Sequence, residues 1–577
     1  MKKNSAKVPG LKEQWASFLK MLRSAKVPWY LYILTFLMDA ASATLFVRLP
    51  ILLGDLMQGD IFDQGKITQY GLLSVAEILF GFAAVCLFCW VSAHIGTNTS
   101  ISIWRRVLRL PSRQLDREGP SSMTSRVVND STYVDFAVSG IFNSLGIIYS
   151  LVLVYIEMFR MHAGMTLALL IVPIWLLVFM AVVGRLTYRN QKRVMDALAA
   201  LTSFLAVRLP NLRLVKAFGT QRQEQANGQE KIDEQYHAEM KLVYVNTLSA
   251  IFQDIANAIT NIIVIAYGSY LVGSGQMDPS DFAVFFLFVT QGNFIFNFQV
   301  LMSYYQNIKF GMGGCGKITE LMEAEEEKLE REKSFTVPEA DIVFDHVAFG
   351  YGDETVLKDV SLTIPKGKIT AIVGPNGSGK TTVLKLLERL YTPTSGHITY
   401  GGVDIERYHL TDWRGSIGYV VQNSPLLIGT VTDNICYGMA VPDQAAAEAA
   451  AWEVGADAFI QTMERGYDTS VGELGGKLSG GQRQKLAIAR ALVTKPDMYL
   501  LDEATCGLDA CNEREITEFM NGFLQGRTAV IVAHNLDTIR MADQIIVLRD
   551  GRVEAAGDHS SLLETSELYR KFCGVTA

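Results

Sequence analysis

The sequence predicts a multidomain protein: an all-α membrane domain with six spanning helices, followed by an α/β domain in the cytosol. Two observations lead to this fold class. Long apolar runs end near residue 310, and beyond residue 340 the composition is that of an ordinary soluble α/β domain. In that second half, short β-branched runs alternate with helical patterns, as in a parallel sheet. At 577 residues the chain is also too long for a single hydrophobic core.

The chain divides into four predicted segments. They are an N-terminal amphipathic segment (1–28), the transmembrane domain (29–320), a charged linker (321–340) and the α/β domain (341–577). In the first segment, Leu11, Trp15, Phe18, Leu19 and Leu22 recur at helical spacing among basic residues. This pattern is typical of a helix lying in the membrane interface, with a frayed basic tail as the alternative.

Six stretches are apolar and long enough to cross a hydrocarbon layer of about 30 Å. They are residues 29–53, 72–95, 136–158, 165–183, 248–272 and 282–302. The loops after the second and fourth spans are far longer than ordinary connectors and have helical patterns. We therefore expect these helices to continue well into the cytosol.

Lysine and arginine set the orientation of the spans, because they gather on the cytosolic side of short loops. Seven precede the first span, six lie in 97–135 and ten in 184–244, against one in 57–69 and none in 273–281. Both termini and the α/β domain are therefore predicted to be cytosolic. The net charge of -7 is small for this size and says little about partners, and no nucleic-acid footprint stands out, so we expect no nucleic-acid partner. No cleavable signal is evident, and we expect a multi-pass protein of a bacterial inner (plasma) membrane.

A phosphate-binding loop is predicted after the β-branched run 369–373. Gly374, Gly379, Lys380 and Thr381 have the G-x4-G-K-T spacing of a P-loop, and a helical pattern follows them. Backbone N–H groups and the helix N-terminus bind anions there, Lys380 reaches the β and γ phosphates, and the Thr381 hydroxyl binds Mg²⁺. The predicted ATP-binding residues of this loop are Gly374, Asn376, Gly377, Ser378, Gly379, Lys380, Thr381 and Thr382.

Two further apolar runs end in polar side chains that complete a hydrolytic site. Asp502 and Glu503 follow the run 498–501, where Asp502 would hold Mg²⁺ through water and Glu503 would orient or deprotonate the attacking water. His534 follows the run 529–533, where a contact with the γ-phosphate is geometrically possible. A lone histidine after a strand is more often structural, but after this P-loop and acidic strand a catalytic role is favoured.

These motifs, in this order, resemble the ATP-binding cassette (ABC) family, and the resemblance covers nearly the whole chain. The further motifs are Tyr351 in "VAFGYGDETVLKDVSL", Gln422 in "IGYVVQNSPLL", "LSGGQ" at 478–482 and "GLD" at 507–509. The resemblance is to a half-transporter of the exporter type (type IV): six membrane helices fused to one nucleotide-binding domain. It implies an ATPase that drives transport and uses ATP and Mg²⁺.

The resemblance also assigns roles to residues. Tyr351 would stack on adenine, and Gln422 would reach Mg²⁺ and the attacking water. The signature residues Ser479, Gly480, Gly481 and Gln482 would clasp the γ-phosphate of the ATP held by a second subunit, and Asp509 would lie between the two sites. A second half-transporter is therefore the implied partner. A complete motif set favours a homodimer, and a heterodimer remains open.

Residues 110–130 and 209–221 resemble the family's two coupling loops, which rest on the nucleotide-binding domains. The sequence also departs from the family pattern. Family members often carry a glutamate near Val207, and the loop after Glu503 often reads Ser-Ala where this chain has Cys506 and Gly507. The catalytic set is intact despite these differences.

Ionisable and amide side chains within the spans are candidates for a substrate pathway, because such groups are costly in lipid. They are Asp39, Glu77, Asp254, Asn257, Asn261, Asn293 and Asn297. The alternative is that they join helices by hydrogen bonds, or that Asp254 lies below the membrane.

Export of a small amphipathic molecule, peptide or drug is the predicted function. Import with the same fold, such as siderophore uptake, and an ATP-gated channel or regulator are the alternatives. The six spans exclude a purely soluble ATPase.

Overall fold

A computed structural model describes residues 11–24, 27–59, 62–290, 294–329, 340–352, 354–472, 475–503, 510–533 and 535–574. The chain forms two compact units, which are described separately. The helical unit comprises Met1–Leu108 and Gly119–Ala324, and the sheet unit comprises Arg109–Glu118 and Glu325–Ala577. The boundary after Ala324 falls inside the linker predicted at 321–340. The short segment 109–118 belongs to the sheet unit, although the chain on either side of it belongs to the helical unit.

Twelve helices are described before residue 324. They are α1 (Leu11–Ser24), α2 (Trp29–Gln58), α3 (Gln64–Val107), α4 (Ser112–Glu118), α5 (Pro120–Ser125), α6 (Thr132–Met161), α7 (Ala163–Leu169), α8 (Ile171–Arg208), α9 (Leu212–Ala217), α10 (Gln221–Gly273), α11 (Pro279–Thr290) and α12 (Phe294–Glu323). A π-helical turn, Arg126–Asp130, lies between α5 and α6. All belong to the helical unit except α4, which is part of the sheet unit.

Four stretches among the described residues are long and apolar enough to cross a membrane: α2, α3, Met123–Met161 (which includes α6) and α10. The predicted span at 165–183 differs from the single helix we expected, because it is divided between α7 and α8. Pro173 explains this division, since it lies in the first turn of α8 and has no N–H to continue the hydrogen bonding of α7. The predicted span at 282–302 contains residues 291–293, which lie outside the described residues, and α11 and α12 lie on either side of them.

The helices α3 and α10 continue far beyond a bilayer, as the sequence predicts. At 44 and 53 residues they are about 66 and 80 Å long, against a hydrocarbon core of about 30 Å. The N-terminal segment also forms the expected helix, α1. Part of its apolar face is buried within the helical unit, because Phe18 and Met21 are covered where α1 packs on α12, while Trp15 and Leu19 stay exposed.

The sheet unit contains one ten-stranded mixed sheet. Its strands are β1 (Ile342–Tyr351), β2 (Glu354–Ile364), β3 (Ile369–Val373), β4 (Ser395–Tyr400), β5 (Val403–Asp404), β6 (Ile417–Val420), β7 (Met498–Asp502), β8 (Thr528–Val532), β9 (Gln544–Arg549) and β10 (Arg552–Gly557). Their order across the sheet is β5-β4-β1-β2-β10-β9-β3-β8-β7-β6.

Besides α4, ten α-helices of this unit lie within the described residues. They are α13 (Lys380–Leu387), α14 (Leu410–Gly415), α15 (Val431–Ile435), α16 (Gln444–Glu453), α17 (Asp457–Ile460), α18 (Gly480–Val493), α19 (Ala510–Phe523), α20 (Leu536–Arg540), α21 (His559–Thr565) and α22 (Glu567–Phe572), with 3-10 turns at Ile405–Arg407, Cys436–Gly438 and Gly466–Asp468. Apolar side chains pack on both faces of the sheet in two core clusters.

The central strands β3, β8 and β7 are parallel neighbours and buried along their whole length. Val532 pairs with Ile372 on one side and with Asp502 on the other, so the carboxyl ends of all three strands meet at one edge of the sheet. In parallel α/β sheets ligands bind at this edge. The predicted phosphate loop and the predicted acidic pair both begin there.

Candidate functional site

The phosphate loop between β3 and α13 depends on glycines at two tight positions. Gly374 has a φ of 153° and a Cβ there would lie 2.2 Å from the Leu548 carbonyl oxygen. Gly379, directly before α13, has a φ of 103° and a Cβ there would lie 2.4 Å from Leu357 Cδ2. Other residues would strain the backbone at both places. The loop can therefore turn sharply and present its N–H groups at the start of the helix.

Lys380 is buried at the start of α13, and its amine donates to the carbonyl oxygens of Gly374 (2.9 Å) and Pro375 (3.1 Å). Burial lowers the pKa of this amine, while the carboxylates of Glu503 and Asp502 oppose the shift. Ser378 Oγ is buried and has no hydrogen-bond partner among the described residues. A buried cation and an unsatisfied hydroxyl in one loop fit an anionic ligand such as a phosphate chain. Asn376 and Gly377 are exposed on the outer side of the loop, and no described atom lies within 4 Å of a Cβ built on Gly377.

The loop and the acidic strand meet at Thr381 and Asp502. The Thr381 hydroxyl donates to Asp502 Oδ1 at 3.3 Å. Burial raises the pKa of the Asp502 carboxyl, and the bond from Thr381 partly offsets this. A hydroxyl and a carboxylate are hard oxygen ligands of the kind that Mg²⁺ takes alongside waters and phosphates. The side chains here therefore fit a magnesium ion.

Glu503 follows β7 in an unusual backbone conformation. Its φ of 50° lies in the left-handed region, which non-glycine residues rarely adopt, and its N–H donates to the Val532 carbonyl at 3.1 Å. Gln422 Nε2 donates to Glu503 Oε2 at 2.6 Å. The structure thus brings two of the three predicted catalytic side chains into contact. His534, the third, and Asp509 lie outside the described residues.

Tyr351 lies at the end of β1, more than a third exposed, with its hydroxyl 3.5 Å from Thr382 Oγ1. Part of its ring is therefore accessible from outside and lies close to the phosphate loop. Sequence reasoning missed the residues behind it. Tyr391 packs edge-on against Tyr351 at 5.2 Å between ring centroids, and Lys385 Nζ lies 5.5 Å from the Tyr351 ring centre. Lys385 lies on the short helix α13, which begins at Lys380. A second lysine on the helix that follows the phosphate loop is the sequence signal that could have identified it.

The signature segment caps the helix α18. Ser479 Oγ accepts from the Gln482 N–H at 3.3 Å, and Gln482 Oε1 accepts from the Ser479 N–H at 2.9 Å, so the two form a capping box. Ser479 and Gly480 are exposed and Gly481 is buried. Among the described residues, no hydrogen bond joins this helix start to the chain's own phosphate loop.

A buried polar cluster behind the phosphate helix was also not predicted. Burial raises the pKa of Glu388, directly after α13, to about 8, although Arg414 opposes the shift. Glu388 Oε2 has no hydrogen-bond partner in the part of the chain that is described. Arg414 instead binds both carboxylate oxygens of Glu327 at 2.9 and 3.0 Å. Hydrophobic periodicity does not predict that this carboxyl is buried, because Glu388 lies at the end of a helical pattern, where charged residues are common.

The polar residues of the predicted spans fall into two groups. Asp39 Oδ2 lies against Gly146 of α6, and Ser42, one turn further along α2, donates to the Glu77 carbonyl (3.3 Å) and to Glu77 Oε1 (3.4 Å). Asp39 and Glu77 are thus near the same turn of α2, and no described lysine or arginine pairs with either. The second group is distributed along α10 and α12. Asp254 and Asn257 are exposed, Asn261 and Asn297 are half-buried, and Asn293 lies outside the described residues.

The chain matches two family models. Residues 30–296 match the ABC transporter transmembrane region, and residues 357–506 match the ABC transporter model of the ATP-binding part. A solved structure, described as a bacterial Atm1-family ABC exporter with ATP bound, superposes with a TM-score of 0.82 at 27% identity and covers 96% of this chain and 98% of its own.

Two curated relatives belong to the same family. The chain is 30% identical over 568 residues to the multidrug resistance ABC transporter ATP-binding and permease protein of Lactococcus lactis subsp. cremoris (strain MG1363), covering 96% of this chain and 95% of the relative. It is 32% identical over 454 residues to the ATP-dependent lipid A-core flippase of Syntrophus aciditrophicus (strain SB), covering 78% and 75%. The chain is therefore a multi-pass membrane protein of the ABC transporter family, an exporter-type half-transporter whose ATPase domain is coupled to transport.

Proposed function

We propose that two copies of this chain assemble in a bacterial inner membrane and export a small amphipathic molecule, peptide or drug. ATP closes the two nucleotide-binding domains on each other, closure turns the membrane cavity outward, and hydrolysis resets it. ATP can drive this cycle only because it binds the closed state more tightly than the open state.

The observation that carries the proposal is the exposed start of α18. A helix of 14 residues presents the N–H groups of its first turn and the positive end of its dipole at Ser479 and Gly480. Among the described residues this end has no hydrogen bond to the phosphate loop of its own chain. We infer that its anionic ligand is the γ-phosphate of ATP held by a second copy.

Within one composite site, each side chain has a distinct task. Lys380 and the loop N–H groups hold the phosphate chain, and Tyr351 stacks on adenine. Glu503 accepts the proton of the water that attacks the γ-phosphorus, while Gln422, 2.6 Å from Glu503 Oε2, fixes the direction of that carboxylate. Thr381 and Asp502 would hold Mg²⁺, which when bound neutralises charge on the phosphate oxygens.

A mixed dimer tests the composite site. One chain carries Lys380→Ala and the other Ser479→Arg, and different affinity tags select particles that contain both. In the trans arrangement the intact phosphate loop of the second chain faces the intact signature of the first, so one complete site and its ATPase activity survive. If both elements acted within one chain, every site would be broken and the mixed dimer would be as inactive as either parent.

A separate preparation of the unchanged chain tests the homodimer. Native mass measurement of particles from cells that express this chain alone should give two 63.9 kDa chains per particle. Particles that hold a single chain would instead point to a missing second type of half-transporter.

The direction of transport can be measured in vesicles whose ATPase domains all face outward. Export from the cytosol predicts ATP-dependent accumulation of substrate inside such vesicles. ATP-dependent loss from preloaded vesicles would identify an importer. Conductance with ATPase activity that no substrate changes would identify a channel or regulator.

We further propose that Asp39 and Glu77 line the substrate pathway and favour a polar or cationic group on the substrate. Support comes from their positions near the same turn of α2, where Ser42 donates to Glu77 of α3, and from the lack of a described basic partner for either. Asp39→Asn should weaken stimulation of the ATPase by cationic substrates more than by neutral ones. Equal responses to both classes would remove this assignment.

A further inference from the structure

A small polar cluster lies where α2, α3 and α6 meet. Ser92 of α3 donates to Asp135 Oδ2 at 2.8 Å, and Ser139 of α6 donates to Asp135 Oδ1 at 2.9 Å. Each oxygen of the carboxylate is thus held by one hydroxyl. Among the described residues, no lysine or arginine pairs with Asp135. Its negative charge is therefore not balanced by a basic side chain in the part of the chain that the structure describes.

Tyr32 of α2 brings a third hydroxyl to this group. Its side chain is fully buried, and its hydroxyl lies close to Asp135 and Ser139. No hydrogen bond of normal geometry joins that hydroxyl to a described atom. The ring is well fixed, because it stacks on Phe142 of α6 at 4.3 Å between centroids and contacts Phe88 of α3 edge-on at 6.5 Å. A buried hydroxyl without a partner is costly, so its place beside a carboxylate indicates a ligand that both groups share.

These four residues, Ser92, Asp135, Ser139 and Tyr32, are called the Asp135 cluster below. They are near the membrane surface that the sequence predicts to be cytosolic. Tyr32 is near the start of the first predicted span, Ser92 is near the end of the second, and Asp135 directly precedes the third. Asp135 is half-buried, so an ion can reach it from water. The neighbouring positions on α3 and α6 are buried and apolar: Val91, Ile95, Val134 and Val138. An unbalanced carboxylate is costly in such surroundings.

The oxygen atoms of the Asp135 cluster suit a small monovalent cation. Carboxylate and hydroxyl oxygens are hard ligands, which cations without a preference for nitrogen or sulfur take. A hydroxyl that donates its proton to Asp135 keeps its lone pairs, so Ser92 and Ser139 can hold the carboxylate and bind a cation together. One carboxylate balances one positive charge. A divalent ion would leave a net charge among apolar side chains.

We propose that the Asp135 cluster is a Na⁺ site that fastens α2, α3 and α6 to one another at their predicted cytosolic ends. The ion balances the charge of Asp135 and gives the Tyr32 hydroxyl a partner. The site is separate from the nucleotide site and from the proposed substrate pathway at Asp39 and Glu77. The inference therefore holds whatever the substrate and the direction of transport are.

Binding of radioactive Na⁺ to the full chain in lipid nanodiscs is the first test. The parent chain should bind Na⁺ saturably, approaching a single ion per chain. Asp135→Asn keeps the shape of the side chain but removes its charge, so this binding should be lost. Ser92→Ala, Ser139→Ala and Tyr32→Phe each remove one oxygen atom. Their Kd for Na⁺ should rise about 2- to 10-fold, the size of one lost polar contact.

Ser144→Ala is the matched control for Ser139→Ala. Ser144 is also a half-buried serine of α6, but its hydroxyl donates to the Gly140 carbonyl oxygen, at 2.6 Å, and not to a carboxylate. This variant should bind Na⁺ with the Kd of the parent chain. If Asp135→Asn does not fold, the comparison of Ser139→Ala with Ser144→Ala decides the question, since both remove one hydroxyl from the same helix.

Thermal unfolding separates a cation site from a purely structural carboxylate. At constant ionic strength, replacing N-methylglucamine by Na⁺ should raise the Tm of the parent chain by a few degrees, because the ion binds the folded state. Asp135→Asn should show no such rise. Its Tm without Na⁺ should equal or exceed that of the parent, because an unbalanced buried charge has been removed. A carboxylate that only joins helices would make Asp135→Asn less stable in both media by the same amount.

Other outcomes would overturn the inference. Undiminished Na⁺ binding in Asp135→Asn would place the ion elsewhere. Equal Tm values of the parent chain in the two media would show that no Na⁺ binds the folded state. Stabilisation of the parent by lower pH, with no effect of Na⁺, would show that a proton and not a metal cation neutralises Asp135.

Discussion

Glu503 combines strain with a strong hydrogen bond. Holding a non-glycine residue at positive φ costs on the order of 1–3 kcal/mol, and such positions persist only where their surroundings enforce them. Here the Glu503 N–H donates to Val532 on the neighbouring strand, and Gln422 binds the carboxylate. The conformation places the carboxylate just beyond the buried strand β7, beside the phosphate loop. Strain at this point is consistent with a side chain kept in position for chemistry.

We expect Glu503→Gln to lower ATP hydrolysis by about 10²- to 10⁴-fold, because an amide has the shape of the carboxylate but cannot accept a proton from water. Binding of ATP should be retained, since Lys380 and the loop are unchanged. Steady-state ATPase and equilibrium nucleotide binding on the same preparation check this. Turnover equal to that of the parent chain would remove Glu503 from the role of base.

Glu388 makes stability depend on pH in a defined direction. Burial raises the pKa of this carboxyl from 4.5 to about 8 in the folded state, so folding favours its protonated form. Its contribution to stability is therefore full below about pH 4.5 and is lost as the pH rises through 8. The loss is at most about 1.4 kcal/mol per pH unit.

The variant Glu388→Gln keeps the neutral form at every pH. Its Tm relative to the parent chain should therefore rise between pH 6 and 8 and level off above that. Thermal unfolding of the purified full chain across pH 6–9 measures this difference. Glu453→Gln, at an exposed position of the same unit, should follow the parent at each pH. Parallel pH profiles for Glu388→Gln and the parent would contradict the burial argument.

At the scale of elements, the contact between α6 and α12 depends on glycine. A Cβ on Gly311 of α12 would lie 2.4 Å from the Tyr133 carbonyl oxygen, and one on Gly314 would lie 2.2 Å from the Tyr133 ring. A Cβ on Gly140 of α6 would likewise lie too close to the Ile308 side chain and to the Tyr304 carbonyl oxygen. Small residues on both helices allow their backbones to approach closely, as is common where membrane helices pack.

Gly311→Ala should therefore destabilise the chain, by about 1–3 kcal/mol, because the obstacle is backbone and cannot rotate away. Gly316→Ala on the same helix is the control, since no described atom lies within 4 Å of its added methyl group. That change should be neutral or slightly stabilising, as alanine is favoured over glycine in helices by about 1 kcal/mol. Melting temperatures of both variants in detergent test the difference. Equal shifts would show that the close approach is not what limits stability.

Local patterns explain what could be predicted from the sequence. The strand, loop and helix around Lys380 are adjacent in the chain, and the apolar length of α3 and α10 is visible as periodicity. The division between α7 and α8 is a local effect of Pro173 that hydropathy averages over. The contacts of Tyr391 lie beyond such reasoning, because Asp116 is 275 positions away and meets it only after the chain has folded. Burial of Glu388 likewise depends on distant elements packing around the end of α13.

At the scale of the whole molecule, the central question is which bound ATP the start of each signature helix α18 contacts. In a two-chain particle, ATP bound to one phosphate loop would also contact the start of α18 from the other chain. Ligand that contacts both chains stabilises the assembled state, by about 2.7 kcal/mol at a concentration 100 times its Kd. Stabilisation by ATP should thus depend on the signature as well as on the phosphate loop.

The hydrolysis-deficient Glu503→Gln chain makes this measurable, because ATP stays intact during heating. ATP should raise its Tm in a concentration-dependent way, and adding Ser479→Arg should remove most of that rise although Lys380 and its loop are untouched. An arginine at this exposed helix start blocks the approach of a second chain, and it can also weaken the capping box with Gln482. A weakened capping box would lower the Tm in the absence of ATP. The quantity to compare between the two chains is therefore the rise in Tm that ATP produces in each. A full ATP-dependent rise in the double variant would mean that the phosphate loop alone provides the stabilisation, and the signature would lose its role as half of a shared site.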